Sequence, residues 1–168
     1  VYTIAVSGPT VYIGGYFSGY IRKWDGTSWS TLGGSGALNG IVEVMKLVNS
    51  DLYVGGNFTA VYNGLDLVPE STYLAKWNGS TCSSVGSNGA APGGPSNNGV
   101  LGMATDGTNL YVTGYFQDIN NNGTVLTAAD YIAKWDGTNW SALGSNGSGN
   151  GPLKPGPIAM QIDGSDVY

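Results

Sequence analysis

The chain has 168 residues, a net charge of −5 and a charged fraction of only 10%, against about 25% in an ordinary globular domain. It carries no basic cluster, so nucleic acid and anionic membranes are poor partners. No run of about 18 apolar residues supports membrane insertion. With no histidine and one cysteine, Cys82, an intrachain disulfide, a metal site built on His or Cys, and any histidine-based catalytic triad are excluded.

Taken in chain order, the expected elements repeat. "TIAVS" (3–7), "VYIGGYF" (11–17), "YIRKW" (20–24) and "WSTLG" (29–33) read as four short strands. The same order returns as "VMKLV" (44–48), "LYVGGNF" (52–58), "YLAKW" (73–77) and "CSSVG" (82–86). It returns again as "LGMAT" (101–105), "LYVTGYF" (110–116), "YIAKW" (131–135) and "WSALG" (140–144). A fourth copy begins with "AMQID" (159–163) and "GSDVY" (164–168). These segments are rich in Val, Ile, Tyr and Trp and are bounded by Gly, Asn, Asp or Ser, the composition of strands and turns. No stretch has a 3.6-residue period, so almost no helix is expected.

Tyr12, Tyr53, Tyr111 and Tyr168 mark the period, and tandem four-stranded units of this size are propeller blades. The expected fold is all-β: three antiparallel blades of a β-propeller and part of a fourth. The repeats span about 1–40, 41–99, 100–156 and 157–168. Three blades do not close a ring. The array is therefore expected to continue in a longer chain or to assemble from several copies. The Gly/Asn/Pro-rich runs at 86–99 and 144–157 read as connections between blades.

The string "YIAKWDGTNWSALG" preceded by "LYVTGYF" resembles the repeats of large bacterial surface or secreted β-propeller proteins, distantly kelch-like and WD-like. A related repeat occurs in a fungal cell-surface polarity marker. The resemblance covers nearly the whole chain. It implies a non-catalytic scaffold at the cell surface or outside the cell. The second repeat departs from the pattern, with Asn78 for Asp and Cys82 for Trp.

Asp-Gly between two apolar strands is a turn signal, and an even loop places the flanking tryptophans on one face of the ribbon. Trp24, Trp29, Trp77, Trp135 and Trp140 are accordingly expected as repeat core, buried between blades. The alternative is a stacking platform for sugar rings. The inserts at 59–72 and 117–130 separate the second and third strands of their repeats, and loops on a rigid scaffold are where binding usually sits. Tyr62, Asp66, Asp118 and Asp130 are therefore the candidate ligand-binding residues. Asp118, Asn120 and Asn122 followed by Gly123 give the D-x-N-x-N-G start of a calcium loop, although Ala129 stands where the bidentate Glu belongs.

No other cofactor is expected. A pair of carboxylates from the two inserts is the weakest alternative, a glycosidase. The expected function is a surface or fibre scaffold with a protein or glycan partner, and a lectin-like propeller is the alternative.

Overall fold

A computed structural model describes every residue except 35, 88, 90–95, 149, 155–158 and 165. The reading of 90–95 and 155–158 as linker lies outside the described residues. The described chain is all-β and contains no helix.

Sheet 1 comprises β1 (Thr3–Ser7), β2 (Thr10–Gly14), β3 (Ile21–Trp24) and β4 (Trp29–Ser30), in that order. Sheet 2 comprises β5 (Ile41–Val48), β6 (Asp51–Asn57), β9 (Leu74–Trp77) and β10 (Cys82–Ser83). The hairpin β7 (Val61–Asn63) and β8 (Asp66–Val68) is inserted between β6 and β9. Sheet 3 comprises β11 (Val100–Thr105), β12 (Leu110–Gly114), β15 (Ile132–Trp135) and β16 (Trp140–Ala142), with its own inserted hairpin, β13 (Ile119–Asn121) and β14 (Thr124–Leu126). The fourth repeat contributes β17 (Ile162–Asp163) and β18 (Asp166–Val167). Among the described residues all pairing is antiparallel, each full sheet is a blade-like meander, and no sheet closes on itself.

Strand alternation sends successive side chains to opposite faces, so the middle sheet feeds two cores. Met45, Leu47, Val54, Ala75 and Trp77 pack against sheet 1 with Ala5, Tyr12 and Leu32. Val44, Val48, Tyr53 and Leu74 pack against sheet 3 with Met103, Val112 and Trp135. This two-sided burial explains why the strands read as continuous apolar runs.

The paired glycines are contact points between sheets. A Cβ on Gly55 would lie 2.7 Å from both Met103 and Val100 of the next sheet, and one on Gly14 would lie 2.5 Å from Val42.

The Trp-Asp-Gly turns share one construction. Trp24 pairs with Trp29, Trp77 with Cys82 and Trp135 with Trp140 across four-residue loops. Within each loop the Asp25, Asn78 or Asp136 side chain accepts the N–H groups two and three residues on. Both tryptophan pairs lie on one face, with ring centroids 5.5 Å and 5.2 Å apart. Trp77, Trp135 and Trp140 are buried as expected.

Trp29 is a correction. It is 50% exposed, and Trp24 beside it is only half-buried. The cause is the cover. Val85 and Gly86, at the end of sheet 2, close over the tryptophans of sheet 3: Trp140 Nε1 donates to Val85 O at 3.0 Å, and a Cβ on Gly86 would collide with both rings. Leu32, at the position equivalent to Val85, shares one buried cluster with Trp77 and Cys82. Among the described residues no segment lies over Trp24 and Trp29 in that way.

One further device recurs in all three sheets. Tyr20, Tyr73 and Tyr131, at the entry to each third strand, sit at φ of 58°, 63° and 62°, a left-handed conformation unfavourable for an aromatic residue. Each donates its N–H to Phe17, Phe58 or Phe116 O, and each accepts at its own carbonyl from Gly15, Gly56 or Gly114 N. In sheet 1 this closes a tight turn over Ser18 and Gly19. In sheets 2 and 3 the same pair of bonds closes the base of the insert.

Candidate functional site

Each insert is a hairpin pinned on two sides. Asn63 bonds both backbone groups of Cys82, accepting from its N–H at 2.7 Å and donating to its carbonyl at 2.9 Å. Asn121, its counterpart, accepts from Trp140 N at 3.0 Å. On the other side the hairpins meet the connection from the previous sheet. Tyr62 N donates to Ala37 O and Gly64 N to Gly33 O in one, and Asn122 N donates to Ser87 O in the other. Asn39 and Asn97 hold the insert bases, Asn39 Oδ1 accepting from Thr59 and Ala60 N and Asn97 Oδ1 from Gln117 N. The sequence reading missed all four asparagines. Their signal was present, since Asn63 and Asn121 occupy equivalent hairpin positions.

The D-x-N-x-N-G run folds as one strand and the turn of a hairpin. Asn122 and Gly123, at φ of 52° and 90°, are the two central residues of a hairpin turn, the combination that type I′ geometry requires. Asn120 Oδ1 accepts from Gly123 N within that turn. Three strand residues, Ile119–Asn121, lie between Asp118 and Asn122, and the four residue steps span about 13 Å, too far for one calcium shell of 2.3–2.6 Å bonds. Among the described residues no three Asp, Glu or Cys side chains converge on a point. The expected metal set Asp118, Asn120 and Asn122 is therefore replaced by a turn.

The four expected ligand residues separate into two groups. Tyr62 and Asp66 lie on the β7–β8 hairpin, Asp66 exposed beside the turn. Asp118 and Asp130 come together at the base of the other insert, in a cavity of about 300 Å³ shared with Gln117, Tyr131, Asn150 and Lys154. Asp130 is buried, its Oδ1 accepting from Asp118 N at 2.9 Å and its Oδ2 from Gly151 N at 3.2 Å. Both its oxygens are thus committed to backbone.

Among the described residues the Asp118 side chain accepts no hydrogen bond, and it faces the cavity. Loss of water around it, and then the charge of Asp130, push its carboxyl above the usual range. Gln117 Nε2 donates to Tyr131 OH at 2.8 Å. The wall offers a carboxylate, an amide, a phenol and an ammonium within a volume that fits a sugar ring or a short peptide turn. A second cavity, of about 350 Å³, lies where sheet 3 meets the fourth repeat. Its wall is apolar (Ile132, Leu143, Met160, Val167) around the buried hydroxyl of Thr113.

No protein-family model and no curated protein matches the chain.

Proposed function

We infer that the chain is a non-catalytic repeat scaffold that works outside the cell or at its surface and presents its two inserts to a protein or glycan partner. The observation that carries this reading is the use of the tryptophans of sheets 2 and 3 as packing between sheets. Rings buried to that degree are not available to a ligand, which leaves binding to the inserts. The low charge and neutral polar surface suit an exposed array. The Cys82 thiol, pushed up to about 11 by burial, has no redox role in this reading.

The test is adhesion of chain-coated beads to protein and glycan surfaces. Replacing residues 59–72 or 117–130 by the Ser-Gly turn of sheet 1 should abolish adhesion while the far-ultraviolet spectrum is retained. Adhesion that survives both replacements together would refute the assignment.

The cavity at Asp118 supports a second reading, a lectin-like site. Its mixed donors and acceptors are the complement of vicinal hydroxyls, and the Asp118 carboxylate is the group that orients them. Titration calorimetry with mono- and disaccharides should give binding that Asp118→Asn removes. Binding unaffected by that change would place the sugar elsewhere.

A further inference from the structure

The hairpin β7–β8 uses one of its edges inside the chain and leaves the other open. Its turn is Gly64-Leu65, so Asn63 and Asp66 close it and Tyr62 stands opposite Leu67. In an antiparallel pair, bonds between the strands join alternate pairs of opposed residues, and the backbone groups of the other pairs point away. Tyr62 is of the second kind, because its N–H donates outward to Ala37 O at 2.8 Å. Leu67 therefore turns its own N–H and C=O out from the far edge. Among the described residues no backbone group pairs with them.

The near edge shows what such an edge takes. Gly33, Ala37 and Leu38 lie along β7: Leu38 forms an antiparallel bridge with Val61, and Gly64 N donates to Gly33 O. The chain thus adds a strand of its own to one side of the hairpin. The side chains of the far edge fit the same use. Leu67 is 53% exposed and Leu65 98% exposed, although Val61 and Val68 on the opposite face are buried in the core. Asp66 is exposed between them, and residues 58–72 carry Asp66 and Glu70 and no Lys or Arg. Sheet 2 packs against sheet 1 on one face and sheet 3 on the other, so this exposure is seen with both neighbours in place.

We propose that the β8 edge, Asp66–Val68, binds an extended segment of a partner protein by strand addition, with Lys or Arg opposite Asp66 and an apolar residue opposite Leu67. In strand addition the main-chain bonds give affinity and the alternate side chains give specificity. Opposite charges facing each other across a strand pair attract, so the acidic insert selects a basic strand. The other insert shows the contrast. Val125 holds the position of Leu67, opposite Asn120, and is 52% exposed, but Thr124 stands where Asp66 does. The β14 edge offers the same backbone without the carboxylate. The proposal rests on the reading of the inserts as the binding elements, and it names the form of the protein partner.

Fluorescence anisotropy with a short labelled peptide of alternating Lys and Val tests it, beside a peptide of alternating Glu and Val. The Lys-Val peptide should bind the wild-type chain, less tightly as salt is raised, and the Glu-Val peptide should bind more weakly. Leu67→Pro deletes an N–H that the hairpin itself does not use, a change an edge strand tolerates. It should weaken binding about ten-fold, the scale of one backbone bond lost with its partner left unpaired. Asp66→Asn should weaken it about three-fold, the scale of an exposed charge pair, and remove the preference for the basic peptide. Val125→Pro should leave it unchanged. Amide exchange on the wild-type chain gives a reading independent of any variant: the Leu67 N–H should exchange more slowly once the Lys-Val peptide is added.

A Lys-Val peptide that does not bind, equal binding of the two peptides, or exchange at Leu67 that the peptide leaves unchanged overturns the proposal. Growth in mass of the chain alone, abolished by Leu67→Pro, would give the edge to a second copy and overturn it equally. Bead adhesion that is lost on replacing 59–72 but kept in Leu67→Pro would leave the scaffold reading standing and remove strand addition alone.

Discussion

Trp140→Ala against Trp29→Ala tests the packing account most directly, because the two residues hold the same place in the repeat and differ in cover. Trp140 is 3% exposed, stands 5.2 Å from the Trp135 ring and donates to Val85 O. Truncating a buried tryptophan removes about 3–5 kcal/mol, of which the lost hydrogen bond is about 1 kcal/mol. Trp29 is half exposed and keeps only its tilted contact with Trp24 at 5.5 Å, so its removal should lose about 1 kcal/mol, the scale of one aromatic pair. Urea unfolding reads the difference. With an m-value of about 2 kcal/mol/M, Trp140→Ala should lower the midpoint by about 2 M and Trp29→Ala by about 0.5 M. Equal shifts would mean that the end of sheet 2 does not cover the sheet 3 tryptophans as described.

Other consequences can be measured in the same way. Hydrogen bonds hold three turn carboxyls below their usual range: from the Thr27 hydroxyl to Asp25, from the Asn109 side-chain amide to Asp106, and from the Asn139 N–H to Asp136. A depressed folded value stabilises above the unfolded value of about 3.9. Stability should therefore hold from neutral pH down to about 4 and fall as the pH drops further. Asp136→Asn should keep its turn, as Asn78 does natively, and remove that residue's share of the acid sensitivity. Asp136→Ala, which loses the two turn bonds from Thr138 and Asn139 N–H, should lower the thermal midpoint at neutral pH. Gly55→Ala places a methyl against Met103 and Val100 and should lose about 1–3 kcal/mol by overpacking, read from the thermal midpoint. Asp118→Asn should leave stability at pH 7 unchanged or slightly raised, because the fold disfavours the charged form of this carboxyl.

The repeat and its four strands were legible because each carries its own local chemistry. Asp25, Asn78 and Asp136 cap their turns from within the motif, and the tyrosine and glycine positions recur in register. Trp29 was misjudged because its burial depends on a neighbour and not on its own sequence. The hairpin at 119–126 was read as a calcium loop because Asn-Gly serves an ion loop and a type I′ turn equally well, and only the pairing of Asn121 with Thr124 shows the turn. Asp118 and Asp130 were found one by one. They are joined by the Asp118 N–H bond to Asp130 Oδ1, and the following connection brings Gly151 N against the other oxygen, neither of which the local sequence signals.

The bonds between Phe58 and Tyr73, and between Phe116 and Tyr131, make the base of each insert a port of fixed width. Lengthening the chain at that port from the turn in sheet 1 to the excursions in sheets 2 and 3 costs about 2 kcal/mol in closure entropy, a sum that one pinned hairpin can offset. What hangs from the port can then be exchanged without moving the sheet that carries it. A foreign hairpin grafted between Phe17 and Tyr20 should leave the spacing of the array as it was, which makes sheet 1 the vacant position at which to add a new specificity.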